Sequence, residues 1–357
     1  MIPRKITGRL KYLKTEYSLK HPKIGSVAGF QLAKKNASPT QRIAILIGDL
    51  RNTKEEEALS GLFDSFEKST RGDHDLTFDL FDIKNDITQA HRVCQALFDR
   101  DPVPLVCVTI GVTATAGFND VNQASSECIP HIFISPDAPL SHEGLNQANN
   151  MCGVTTKLPH YRRVVGALRH LLPQKKRAVF VYDVNYKDAL GLEYGLKSQE
   201  YFHLEQMLEG HGYEIVTVPL IRGVNPVDAL EEFVKNGEIL ILDTSKAPSA
   251  QIYLAEIQEL CAEYNTTIFA TSATAVRYGA ALGLGNAGFQ YGQSAGHKLY
   301  VIMYHGTSPA DIGVTTITES EELRFNNLFL GTQGVRISKE LETILNARSV
   351  DVDYGGL

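Results

Sequence analysis

The stretch Leu105 to Asp120, Leu-Val-Cys-Val-Thr-Ile-Gly-Val-Thr-Ala-Thr-Ala-Gly-Phe-Asn-Asp, constrains the fold more than any other. Leu105 to Ile110 is apolar, β-branched and uncharged, as a parallel strand covered on both faces requires. Gly111 allows a sharp exit, and Thr113 or Thr115 can cap the helix that follows. The free N–H groups and positive dipole end of such a helix suit a carboxylate, a phosphate or another polar ligand group. Taken alone, the same residues also read as a plain helix cap, so a functional reading needs the unit to recur along the chain.

It does recur. Arg42 to Gly48 reads as a strand, Thr53 to Ser69 as a helix, Leu76 to Ile83 as a strand and Ile87 to Asp99 as a helix. The Leu105 strand, a helix from about Thr113 and a strand from His131 to Ser135 follow. After Gly153-Val-Thr-Thr156 the pattern restarts, with a helix from Pro159 to Leu172 and a strand from Arg177 to Asp183. A helix to Glu209, strand Tyr213 to Pro219, helix Pro226 to Lys235, strand Glu238 to Asp243, helix Pro248 to Tyr264 and strand Thr266 to Thr271 complete it. Alternation of this kind is the signature of a doubly wound parallel sheet, and two successive sets predict two α/β lobes. Ala280 to Gly285 and Gly313 to Thr318 read as further strands, and Phe289 to His305 as a helix. A chain returning to the first lobe there crosses between lobes several times, which makes a hinge.

At 357 residues the chain is long enough for two domains, and 43% hydrophobic with 21% charged residues is a globular composition. The net charge of -6 is uneven. Met1 to Gln41 carries nine Lys and Arg against Glu16 alone, leaving -14 on the remainder. An acidic body lacks the basic face of a nucleic-acid binder. Residues 1–41, broken by Pro3, Gly8, Pro22, Gly25, Gly29 and Pro39, read as a basic extension outside the fold. Their most apolar window, Ile24 to Ala33, is too short and interrupted for a convincing signal peptide. No run approaches the roughly 20 apolar residues of a membrane helix. The five cysteines are scattered without a Cys-x-x-Cys pair, and three sit within apolar patterns as small core residues.

In open α/β sheets, ligands lie beyond the carboxyl ends of the strands. That rule selects Asp49, Thr113, Ala114, Thr115, Ser135 and Asp137 in the first lobe. In the second it selects Asp183, Tyr186, Thr244, Ser245 and Ser272, with Asn286 after the Ala280 strand. Tyr186, just past a strand end, suits a ring stacked on a ligand. Gly283-x-Gly-x-x-Gly288 matches a dinucleotide fingerprint but lacks the acidic end of a second strand. Gly292-x-Ser-x-Gly296 matches a nucleophile elbow, yet lies inside an apparent helix, where small residues permit close packing. The histidines show no metal-ligand spacing, so neither a metal nor another cofactor is expected.

The order of segments resembles the ABC-transporter substrate-binding proteins of the tryptophan/tyrosine-binding type, with the type I periplasmic-binding fold. The resemblance runs from about Arg42 to the carboxyl terminus. It is carried by Val108 to Ala116, Ile129 to Asp137, Asn150 to Thr155, Leu172-Pro-Gln-Lys-Lys-Arg-Ala178, and Gly285 to Gly296 with Pro309-Ala-Asp-Ile312. It implies two lobes joined by three crossover strands, residues 42–157 with about 285–312 and residues 158–284 with about 313–357. It also implies that the lobes capture a small organic molecule in the interlobe cleft without catalysis, with the Thr113 to Thr115 helix start on a carboxylate or equivalent group. An ABC permease in the membrane would be the partner, the protein monomeric and its location extracytoplasmic. Where many relatives carry acidic residues suited to an amino group, this chain has Ser245 and Ala287, which points to a ligand with fewer cations. Two other readings use the same fold: the ligand-sensing domain of a regulator, and an α/β enzyme acting in the cleft.

Overall fold

A computed structural model describes residues 17–20, 23–24, 27–34, 41–50, 53–135, 150–156, 162–183, 199–221, 224–236, 238–242, 250, 253–271, 273–285, 288–317, 322–345 and 347–350. They fall into two compact units, one of the described residues up to 156 with 288–317, the other of 162–285 with 322–350.

With strands numbered along the whole chain, the first unit holds β1 (Tyr17–Lys20), β2 (Lys23–Ile24), β3 (Val27–Lys34), β4 (Arg42–Ile47) and β5 (Thr77–Asp82). It also holds β6 (Val106–Ile110), β7 (His131–Ser135), β8 (Met151–Thr156) and β14 (Val314–Ile317). The order is β1-β3-β5-β4-β6-β7-β8-β14, with β2 against β3. From β5 to β14 neighbouring strands are parallel, while β3 runs antiparallel to β5 and β1 to β3. The helices of this unit are α1 (Thr53–Thr70), α2 (Ile87–Phe98), α3 (Val112–Ala124), α8 (Gly288–His305) and the single turn α9 (Pro309–Ile312).

Both faces of the sheet are covered, which is why β4 is an unbroken apolar run. Ile43, Ile45 and Ile47 face α1 and α8, among Leu59, Phe63, Tyr291 and Leu299. Ala44 and Leu46 point the other way, toward Cys94 and Phe118. The α1–α8 contact is close enough to need glycine. A Cβ on Gly288 or Gly292 would lie 1.9 and 1.8 Å from the carbonyl oxygens of Lys54 and Ala58, and one on Gly61 would lie 1.9 Å from that of Phe289.

The second unit holds β9 (Arg177–Asp183), β10 (Glu214–Leu220), β11 (Ile239–Leu242), β12 (Thr267–Ala270), β13 (Leu282–Gly285), β15 (Glu322–Asn326) and β16 (Ala347–Val350). Their order is β10-β9-β11-β12-β13-β15-β16. The strands are parallel as far as β13, β15 turns antiparallel to β13, and β16 lies parallel to β15. Its helices are α4 (Arg162–Leu171), α5 (Gln199–Glu209), α6 (Pro226–Val234), α7 (Leu254–Glu263), α10 (Asn327–Thr332) and α11 (Lys339–Leu345), with a 3-10 segment at Ala273–Tyr278. α6 begins as its sequence predicts: Asn225 accepts from the Val227 N–H at 3.0 Å, and Pro226 takes the first turn.

The structure corrects two expectations. Residues 1–41 do not all stand outside the fold, because β1, β2 and β3 extend the first sheet. β3 alternates faces: Leu32 enters the core beside α1 and α8, and Val27 the core on the opposite face. Its attachment is reinforced by Asp79, fully buried on β5, whose carboxylate accepts from Gln31 at 2.8 Å, Arg42 at 2.9 Å and Arg100 at 3.2 Å. Second, Gly313 onward does not pass wholly to the second unit, since β14 pairs with β8. The expected doubly wound sheets are present and mostly parallel, each carrying antiparallel strands at one side. Of the three expected crossings, the one at 157–158 lies outside the described residues, while 284–285 falls within β13 and 312–313 at the end of α9.

Candidate functional site

Because β4 to β7 are parallel, their carboxyl ends share one edge of the first sheet. Gly48 and Asp49 follow β4, Asp82 closes β5, Gly111 follows β6 and Ser135 closes β7. Backbone bonds fix these turns: Gly48 N–H to Ile110 at 2.8 Å, Ile83 N–H to Ile47 at 3.0 Å and Gly111 N–H to Ile134 at 2.9 Å.

Gly111 takes φ 93 and caps α3 with no side-chain bond, so neither Thr113 nor Thr115 is the cap the sequence suggested. The helix starts one residue after the glycine. Thr113 is buried in its first turn, and Ala114 is sealed in the core. The Thr115 hydroxyl is committed internally, donating to the Gly111 carbonyl at 2.8 Å and lying 2.9 Å from Thr109 Oγ1. Thr109 Oγ1 in turn lies 2.8 Å from His131 Nε2. With the Thr115 proton on Gly111, Thr109 must donate to Thr115, which requires His131 to donate from Nε2. Burial depresses the His131 pKa to about 3, so the ring is neutral and its Nδ1 carries a lone pair with no partner. A polar chain thus runs from the base of β7 to the Gly111 turn.

Two acids that the sequence reasoning passed over complete this edge. Glu55, from the first turn of α1, is buried and accepts from the Asp49 N–H at 2.9 Å. Its carboxylate fills the hollow between the turns, 2.8 Å from where a Cβ on Gly48 would stand and 2.6 Å from one on Gly111. Asp82 has its pKa raised to about 6, first by burial and then by the neighbouring Asp49 charge, against opposing bonds from the Lys84 and Leu50 backbone. Asp82 was legible as a strand end. Glu55 had no signal beyond its place in a helix's first turn, because its reach across to Gly111 is tertiary.

In the second unit Asp183 closes β9, and Thr271 follows β12, where its N–H bonds to Leu242 at 3.0 Å. Among the described residues, the buried Thr271 hydroxyl has no partner. Sequence reasoning chose its neighbour Ser272 instead. Asp137, Tyr186, Thr244, Ser245, Ser272, Asn286 and Ala287 lie outside the described residues. The structure therefore gathers Asp49, Thr113 and Ser135 at one edge and turns Ala114 and Thr115 into the core.

The two lookalike motifs resolve into packing. Gly283 and Gly285 belong to β13, and Ser294 lies mid-helix in α8 between the glycines that approach α1. Among the described residues, no three His, Cys, Asp or Glu side chains group as a metal site, and no helix is long and apolar enough to cross a membrane.

Two α/β units, each with helices on both sides of a mostly parallel sheet, define the type I periplasmic-binding-protein-like fold of the solute-binding proteins. No protein-family model matches the chain, and no curated protein matches it. Solved structures do. A conserved domain protein from Vibrio cholerae O1 biovar El Tor matches with TM-score 0.68 at 16% identity, over 87% of this chain and 99% of that one. An ABC domain in complex with L-Trp from Streptococcus pneumonia matches with TM-score 0.68 at 14% identity, over 87% and 99%. The ligand-free, open structure of a substrate binding protein with adhesive properties from Clostridium difficile matches with TM-score 0.59 at 15% identity, over 88% and 100%.

Proposed function

We propose that this chain is the solute-binding component of an ABC-type uptake system, holding a small organic molecule with polar groups from the carboxyl edges of both sheets. The observation that carries the reading is the Gly111 turn. A helix start with no side-chain cap stands beside buried Asp49, Thr113 and Ser135, at the edge where open α/β sheets bind ligands. The orphaned Thr271 hydroxyl supports a contribution from the second sheet. A neighbour in complex with L-Trp and another described as a substrate binding protein fit the same reading.

Capture without catalysis is supported by the chemistry of the described groups. The Thr109–His131 contact joins a hydroxyl to an imidazole, but both residues are sealed in the core and His131 is held neutral. In this reading the protein works as a monomer outside the cytoplasm and delivers its ligand to a membrane permease.

Native mass spectrometry of freshly purified protein tests the proposal. The expected result is a stoichiometric small molecule that also raises the melting temperature, since ligand at ~100 times its dissociation constant adds about 2.7 kcal/mol. A bare mass, with no melting shift across amino acids, sugars, nucleosides and small acids, would overturn it. Tryptophan quenching cannot serve, because the chain has no tryptophan.

A further inference from the structure

The carboxyl-terminal half of α8 carries a surface feature that ligand capture does not use. His297, Tyr300, Tyr304 and His305 form a continuous ladder of rings on the helix. Tyr300 stacks on Tyr304 at 5.2 Å and 25°, His297 lies parallel to Tyr300 at 6.5 Å, and His305 meets Tyr300 edge-on at 5.3 Å. Below, Tyr304 touches the core ring of Phe66 at 6.4 Å. The ladder is open to solvent: His297 and His305 are exposed, and Tyr304 is 47% exposed.

Its surroundings are negative. Asp73 and Asp75 flank His74, whose ring meets Phe66 at 5.3 Å, the same ring that Tyr304 leans on, and burial first, then the charges of these two acids, raise the Tyr304 pKa. Asp73 and Asp75 are exposed in the turn before β5, while Glu67 is buried against His74 at 2.8 Å. The helix also ends here, and its last carbonyls add partial negative charge. Ring faces carry negative quadrupole density, so the ladder and its rim share one sign.

We infer that this face of α8 is a docking surface for an arginine- or lysine-bearing segment of a partner protein, with a cationic head seated against the exposed Tyr304 ring, which Tyr300 backs from the other side, and ion-paired to Asp73 and Asp75. Guanidinium groups suit it best, because a planar cation can stack on a ring and bridge a carboxylate together. The surface lies at the amino end of β5, whereas the proposed ligand groups lie at the carboxyl ends, so it can be tested independently of ligand identity.

The test is a titration of isotope-labelled full-length protein with an eight-residue peptide of alternating Arg and Ser, followed by two-dimensional NMR. Expected are shifts centred on His297, Tyr300, Tyr304 and His305, with affinity falling at least five-fold in Tyr304→Ala and in the double variant Asp73→Asn, Asp75→Asn. A peptide with Glu in place of Arg is expected to leave the spectrum unchanged. All three positions are solvent-exposed, and a native-like spectrum of each variant confirms folding. Shifts centred elsewhere, unchanged affinity in both variants, or equal binding of the Glu peptide would overturn the inference. So would a neutral oligosaccharide that moves the same rings while the Arg peptide does not.

Discussion

Asp82 shows how a single side chain at the carboxyl edge links the site to stability. Its folded pKa, about 6, stands above the ordinary 3.8 because burial and the Asp49 charge both disfavour the carboxylate. The folded state therefore holds this proton more tightly than the unfolded chain, and the group's contribution to stability falls as pH rises from about 4 to about 6. A displacement of that size corresponds to at most about 3 kcal/mol, and partial solvent access brings the expected effect to roughly 1–2 kcal/mol. Asp82→Asn should accordingly gain stability over wild type at pH 7.5 and lose that advantage at pH 4, measured by urea unfolding at both values. Parallel pH profiles for the two proteins would show that the Asp82 environment is misjudged. The same comparison exposes a limit of strand-end reasoning. Such reasoning finds which residues reach the edge, as with Asp49 and Ser135, but not which hydroxyls turn back. Thr113 and Thr115 are two residues apart on α3, yet the Thr115 hydroxyl is turned back onto the Gly111 carbonyl and Thr109, a contact to β6 that strand-end reasoning does not see.

At the scale of elements, the α1–α8 contact explains why α8 is punctuated by Gly288, Gly292 and Gly296. Replacing Gly292 by Ala places a Cβ 1.8 Å from the Ala58 carbonyl oxygen and 2.7 Å from the Leu62 nitrogen, backbone atoms on a helix packed into the core. The helices must separate, at a cost of about 3 kcal/mol. Gly331, within α10, is the control, because nothing lies within 4 Å of its would-be Cβ. There an alanine should be neutral or stabilise by roughly 0.4–1 kcal/mol through the unfolded state. Thermal unfolding of both variants checks the contrast, and a Gly292→Ala protein as stable as Gly331→Ala would contradict the packing. Elements with strong periodicity were readable in advance: β4, α2, β6 and α6 lie within a few residues of their sequence positions. The amino-terminal strands were not, because Gly25 and Gly29 and the basic excess mask the alternation of Val27 and Leu32. β15 and β16 were missed as well, being short and held by pairing, β15 with β13 and β16 with β15, rather than by their own pattern.

At the scale of the whole molecule, the chain is two separately built units. Each has its own core, β4 and β6 at the heart of one and β9, β11 and β12 at the heart of the other. Binding energy confined to one unit would suppress opening of that unit alone, since local opening follows local stability. Under the proposed function, a ligand that reaches Thr271 as well as Asp49 and Thr113 is expected to protect both. Hydrogen exchange separates these cases. With saturating ligand, slowed exchange is expected both in β6 with the first turn of α3 and in β11 with β12. At ~100 times the dissociation constant, the protection shared by the two sheets should approach the 2.7 kcal/mol of mass action. Protection limited to the first unit would leave the Gly111 turn as a binding site but remove the second sheet from it. The orphaned Thr271 hydroxyl would then need a different account, and the proposed share of the second sheet in capture would be withdrawn.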